Sequence, residues 1–232
     1  MGAPGLTTPL RRETFKNLQL NAGIVLVNFE YDEIADATAL KTAIRTAITE
    51  GQILGATRGG GNFTATREIR EPEADGKRYS YVGGSFVDSV DGRLSTTLIE
   101  VVPDVIKILI ASADVTENGK VTTIRVRTAF EDEDYLSNVV WVGDLADGRM
   151  VAIVLYNALN KADFTLTYTD KGEGTMPAEF HAYQSDVEDY DYAPFEIVYF
   201  DKAGTTTQGD STTQGGTNTQ GGTGTQGGTG NP

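Results

Sequence analysis

The sequence predicts a mainly β fold, an antiparallel β-sandwich or barrel with one main flanking α-helix, and three observations carry that expectation. Stretches rich in Val, Ile, Thr, Tyr and Phe recur along most of the chain, most densely from Ala113 to Phe200. Turn signals such as Asn118-Gly119, Asp147-Gly148 and Lys171-Gly172-Glu173-Gly174 separate them. Helical periodicity is confined to two segments. With 232 residues, 39% of them hydrophobic, the chain can bury one good core, or one core with an appendage.

Taken in order, residues 1–20 lack the apolar core of a signal peptide. No apolar run approaches the roughly 20 residues that span a bilayer, so the expectation is a soluble protein made in the cytoplasm, without membrane insertion. Ala37, Leu40, Ile44, Ala47 and Ile48 recur at helical spacing, Asp36 suits an N-cap and Gly51 a C′ position, which predicts a helix over about 36–50 with one face on a sheet. Residues 62–70 and 79–87 read as strands flanking Glu71-Pro72-Glu73-Ala74-Asp75-Gly76-Lys77-Arg78, an extended hairpin with a charged tip. Residues 93–101 read as a further strand, apolar on part of one face. Pro103 followed by Val105, Ile106, Leu109 and Ile110 predicts a short second helix, since proline is tolerated in a first turn.

Downstream, Asn118-Gly119 supplies the two positive-φ residues of a type I′ turn before Val121, Thr123, Ile124 and Val126. Asp147-Gly148 joins Val139-Val140-Trp141-Val142 to residues 150–156, and the Lys171 to Gly174 turn joins residues 164–169 to 177–183. The sheet therefore reads as a meander of adjacent antiparallel strands, with Trp141 buried. Strands of mixed faces imply burial against neighbouring subunits. After Phe200 the composition changes to Gly, Thr and Gln, with TQGGTN, TQGGTG and TQGGTG at Thr213, Thr219 and Thr225. Such a segment has little to bury. The expected organisation is a domain over 1–203 and a disordered low-complexity tail over 204–232, a tether or bristle with a reach of roughly 30 Å.

The chemistry-bearing residues are sparse. Formal charge is -14 without a Lys/Arg cluster, so the footprint of a nucleic-acid binder is missing. There is no cysteine and one histidine, His181, which gives a histidine-based metal site or triad one position to draw on. The acidic runs 131–134 and 186–191 lack calcium-loop spacing and read as solvated loops. Gly59-Gly60-Gly61 lacks the Lys-Ser/Thr of a phosphate loop and opens onto a strand, so it reads as a tight bend or a close subunit contact. The aromatic set Tyr190, Tyr192, Phe195, Tyr199 and Phe200 reads as a closing strand packed on the core. No catalytic, cofactor-binding or metal residue is expected, and the chain is not expected to be an enzyme.

Seven segments in order, LQLNAGIVLVNFEY (18–31), ILGATRGGGNFTATREIR (53–70), TTLIEVVPD (96–104), DEDYLSNVVWVGD (132–144), NALN (157–160), DKGEGTMPAEFHAYQ (170–184) and APFEIVYFD (193–201), resemble the tail tube, or major tail, proteins of long-tailed, siphophage-like phages and prophages of Gram-positive bacteria. The resemblance covers most of residues 15–202 and leaves the Gly/Thr/Gln tail outside it. It implies a sandwich of the tail tube type whose copies form hexameric rings, stacked into a hollow tube around a tape measure protein and bounded by tail initiator and terminator proteins. The virion tail is then its location, assembled in the bacterial host cytoplasm, and DNA passes through without specific binding. By position, the tip residues Glu71, Pro72, Glu73, Asp75, Lys77 and Arg78 match an inter-ring contact, and the segment before Asn21 matches a terminal arm. Under this reading the acidity either lines an electronegative lumen or aids solubility. The alternative is a monomeric β-sandwich binding module, a surface carbohydrate or adhesion type, tethered by its tail.

Overall fold

The computed structural model describes residues 13–185 and 191–203. The tail over 204–232, the first 12 residues and most of the acidic run 186–191 lie outside them. The fold is mainly β and antiparallel, as its sequence predicts. Nine strands follow in order: β1 (Ile24–Val27), β2 (Thr57–Arg70), β3 (Phe86–Leu98), β4 (Ala113–Asn118), β5 (Val121–Val126), β6 (Leu136–Asp144), β7 (Met150–Asn160), β8 (Met176–His181) and β9 (Phe195–Phe200). Helix α1 (Ala37–Thr49) follows β1, and α2 (Pro103–Ile110) follows β3.

Strand β7 organises the sandwich. On one side Met150 to Ala158 pair with β6; on the other, Met150 to Leu155 pair with β9 while Leu159 and Asn160 pair with β8. The strand order β1-β6-β7-β8-β3-β2, with β9 on β7, therefore divides into a layer β1-β6-β7-β9 and a layer β8-β3-β2. Val25, Val27, Val139 and Leu155 from the first layer pack with Leu94, Leu98, Met176 and Phe180 from the second, and α2 closes this core with Val105 and Leu109. The opposite face of the first layer, Leu26, Val140, Val142, Ala152 and Val154, packs on Ala37, Leu40 and Ala47 of α1. Burial on both faces explains why β1, β6 and β7 are continuous apolar runs rather than alternating ones.

The helices form where the sequence places them. Asp36 Oδ1 accepts the backbone N–H groups of Thr38 (2.8 Å) and Ala39 (2.9 Å), and Gly51, at φ 78°, ends α1. Ile48, expected on the packed face, is 45% exposed. Pro103 opens α2, and Ala111, at φ 65°, stops it.

The sheet is not a meander: β1–β6, β3–β8 and β7–β9 join strands distant in sequence. The two strands expected over 79–87 and 93–101 are one, β3, which begins at Phe86 and runs through Asp91-Gly92. Gly92 is there because the Phe195 ring lies over it; a Cβ would fall 2.3 Å from that ring's Cδ1. Residues 164–169 contribute a single bridge, Thr167 to Thr175, instead of a strand. The β4–β5 turn lies one residue later than expected, since Asn118 pairs with Val121 and leaves Gly119-Lys120 as the loop. Of these two, only Gly119 has positive φ, the pattern of a type II′ turn. Trp141 is half-buried instead of buried.

Candidate assembly surface

Strands β2 and β3 pair from Thr57↔Leu98 to Arg70↔Phe86, interrupted between Thr57 and Gly61. The body covers only part of this hairpin. Leu94 and Leu98 are in the core, whereas Ile69, Phe86 and Val87 are 52–58% exposed. Beyond the pair Ala65↔Gly92 the hairpin is a bare two-stranded ribbon with a register shift at Glu68/Ile69, a bulge that adds twist. Among the described residues no strand pairs with the outer edge of β2 or with that of β9.

The ribbon ends in a loop built around Glu71. Its carboxylate accepts from Ser80 Oγ (2.8 Å), Lys77 Nζ (3.2 Å) and Ser85 Oγ (3.2 Å), and Lys77 also donates to the Pro72 carbonyl (3.2 Å). The Ser80 hydroxyl, then the Lys77 ammonium, hold the Glu71 carboxyl below the usual carboxylate range. A turn bonded from Lys77 N–H to the Ala74 carbonyl, with Gly76 at φ 82°, presents Glu73 and Asp75 to solvent. Glu71, Pro72 and Lys77 are thus turned inward on one another, and Glu73, Asp75 and Arg78 lie around them. The outward groups are Tyr79, Tyr81 and Val82, at 76%, 65% and complete exposure. Sequence reasoning absorbed these three into a strand; the Gly76 and Gly83-Gly84 that bracket them were the available signal.

Residues before Asn21 do not project as a free arm where described. Ala146 N–H bonds the Leu18 carbonyl (2.8 Å), and Asp147 N–H the Lys16 carbonyl (3.2 Å), so this segment lies along the β6–β7 turn. Residues 1–12 lie outside the described ones.

The uncovered face of the second layer carries Asn62, Thr64 and Thr66 of β2, Asp91, Arg93 and Ser95 of β3, and Glu179 and His181 of β8, as the register dictates. His181 Nδ1 lies 3.0 Å from Asp91 Oδ1 and Nε2 lies 3.0 Å from Glu179 Oε1. Ser95 Oγ donates to the other Glu179 oxygen (3.3 Å). Both imidazole nitrogens face carboxylates and the serine hydroxyl faces Glu179, so the row is not ordered as a nucleophile, base and orienting acid. Two other charged clusters are also internally matched. Arg127 bonds Glu131 and Asp134 and lies 3.3 Å from Asp114. Burial disfavours its charge, but Asp134, Glu131 and Asp114 outweigh that and raise its pKa. Tyr31 donates to Glu196 (2.8 Å) and bonds the Tyr156 hydroxyl, and burial pushes the Tyr31 phenol far up.

Between the edges of the two layers lies a recess of about 340 Å³ lined by Trp141, Phe63, Ile153, Gln19, Asn21 and Asn62. The indole N–H donates to the Ala22 carbonyl (2.8 Å). Glycines flank the ring of necessity: a Cβ at Gly23 or Gly143 would fall 2.5 Å from indole atoms. The Gly59-Gly60-Gly61 run forms the rim, where the β2–β3 register shifts between Thr57 and Gly61. Among the described residues no group of three or more His, Asp or Glu is placed to hold a metal, and no helix is long and apolar enough to cross a membrane. No protein-family model matches the chain, and no curated protein matches it.

Proposed function

We propose that this chain is a self-assembling structural protein, the tail tube subunit of a siphophage-like particle. Its copies form hexameric rings, stacked into a hollow tube around a tape measure protein, between initiator and terminator proteins of the virion tail. The observation that carries this reading is the ribbon half of the β2–β3 hairpin. A two-stranded ribbon is marginal by itself, and a long open edge with apolar side chains on it is a pairing site that monomers conceal. Contact with other copies supplies what the ribbon lacks. The contact groups at its end are Tyr79, Tyr81 and Val82, while Glu71 and Lys77 fix the loop's shape. The second layer, closed edge to edge with its neighbours, turns its polar face of Thr64, Thr66, Ser95, Asp91 and Glu179 to the lumen. Carboxylates there repel phosphate and let DNA pass without adhering.

Negative-stain electron microscopy of the purified chain across a concentration series tests this. Rings or uniform hollow tubes are the expected result; a persistent monomer, with and without an added initiator complex, sinks it. The half-buried Trp141 in the recess beside Asn21, Asn62 and Gln19 favours a second reading, a carbohydrate-binding module, because an indole rimmed by amides matches a sugar's apolar face and hydroxyls. Glycan-array binding by a chain that stays monomeric, lost in Trp141→Ala, would select it.

A further inference from the structure

His181 stands where the ribbon leaves the body. Its strand β8 pairs with β3 as far out as Arg93↔His181, and Ala182 N–H still reaches the Gly92 carbonyl (3.1 Å); one residue further out, the link between β3 and β8 is the side-chain contact from His181 to Asp91 (3.0 Å). The imidazole is nearly enclosed, at 11% exposure, while Asp91 and Glu179 are about 40% exposed. A carboxylate offers no hydrogen. Both contacts are hydrogen bonds at once only when both ring nitrogens carry one, which is the imidazolium. The surroundings suit a cation: β8 contributes Glu179, and β3 contributes Asp91 with Arg93, whose Nε lies 3.2 Å from the second Asp91 oxygen. On that face β2 brings Thr66, which accepts from Arg93, and Glu68, which accepts from Ser89. From β7 comes Leu159, and the Lys161 ammonium beyond it sits over the Tyr183 ring instead. The His181 hydrogen bond, foremost among its neighbours, holds the Glu179 carboxyl below the usual range.

We propose that His181 is a proton-controlled clamp that fixes the base of the β2–β3 ribbon to β8, binding Asp91 and Glu179 together when charged and, when neutral, keeping its hydrogen on Glu179 of its own strand and releasing Asp91. The neutral ring keeps one hydrogen and one lone pair, and the lone pair repels whichever carboxylate it faces. Asp91 retains Arg93 after release, so the ribbon loosens without detaching. That this loosening governs how readily subunits engage one another rests on the assembly reading above; the clamp itself does not.

The test is amide hydrogen exchange of residues 87–91 in the dispersed chain across pH, corrected for intrinsic rates, with the imidazole Cε1 proton followed by NMR in the same samples. Protection should fall about three- to tenfold as the imidazole loses its proton, the range of one partly exposed charged hydrogen bond. His181→Gln, which keeps a donor and an acceptor but does not titrate, should flatten the profile, and Asp91→Asn should flatten it with the histidine intact. Protection that stays level through the imidazole titration, or a profile unchanged in both variants, overturns the clamp. Parallel microscopy separates the two ideas: a clamp in a chain that forms no tubes removes the assembly reading alone, and tubes without the exchange response remove the clamp alone.

Discussion

The two halves of the β2–β3 hairpin are one ladder of backbone hydrogen bonds with opposite side-chain surroundings. In the inner half, Leu94 and Leu98 are 3% and 0% exposed and pack against the first layer. In the outer half, Ile69, Phe86 and Val87 are as apolar as those two but more than half exposed, and the Arg70 guanidinium lies over the Phe86 ring, 5.8 Å from its centre. Backbone pairing alone therefore does not distinguish body from arm. What distinguishes them is whether a second layer lies beneath, and the boundary is the pair Ala65↔Gly92, where Phe195 closes over the glycine and meets Phe63 edge to face at 5.4 Å.

The sharpest way to break the comparison is to truncate equivalent residues on the two sides. Leu94→Ala should destabilise the chain by about 2–5 kcal/mol, the transfer and cavity cost of a buried leucine, read by denaturant unfolding. Val87→Ala should stay within about 0.5 kcal/mol. Equal losses would mean that the outer half is packed in the dispersed chain, contrary to its exposure. The boundary comes next. Gly92→Ala would drive a methyl into the Phe195 ring, and overpacking of that kind costs about 1–3 kcal/mol. Because the clash involves ring atoms next to the ring's attachment rather than a flexible end, the ring must move as a whole. Restored stability in Gly92→Ala with Phe195→Leu would locate the cost there.

A third test separates folding from association. Replacing the loop of residues 71–85 by Asn-Gly, which suits a two-residue turn between Arg70 and Phe86, should leave the thermal melt within a few degrees and abolish tubes. Tyr79→Ser with Tyr81→Ser and Val82→Ser should do the same, whereas Glu73→Gln and Asp75→Asn should not. Assembly that survives the triple change but fails in the charge variants would return the contact to the acidic side chains.

The same contrast explains what could be read from the sequence. Burial on both faces leaves continuous apolar runs in β1, β6 and β7, and α1 carries its cap, stripe and terminator, so the body was legible. The ribbon was legible as a hairpin but not in extent. Asp91-Gly92 looks like a break, and only the Phe195 ring, which arrives from a distant strand, shows that it is not. The β-rich spelling of Tyr79 to Val87 predicts a strand, but with no layer beneath it and Glu71 gathering Ser80 and Ser85, residues 79–85 form the loop instead. The non-local pairings β1–β6, β3–β8 and β7–β9 leave no mark in any one strand, which is why a meander was expected. The same holds for the His181, Asp91 and Glu179 row, whose members come together through register alone.

The smallest effect expected lies at the far end of the ribbon. Because the Glu71 carboxyl is held below the usual range in the folded chain, first by Ser80 and then by Lys77, its ionised form is favoured by the loop's structure. The part of the loop's stability that the ionised carboxylate supplies is therefore fully present above the ordinary carboxylate range and is lost as pH falls through the depressed value. Since the side chain is solvated, the global melt should not register the change, but exchange at Lys77, whose N–H closes the turn on Ala74 (3.0 Å), should speed up in acid. Glu71→Gln should show the faster exchange at every pH and lose the acid dependence. An acid response retained in Glu71→Gln would assign it to Glu73 or Asp75 and leave the loop held by its turn alone; a response absent from both would mean that the ribbon's end has no order of its own until another subunit supplies it.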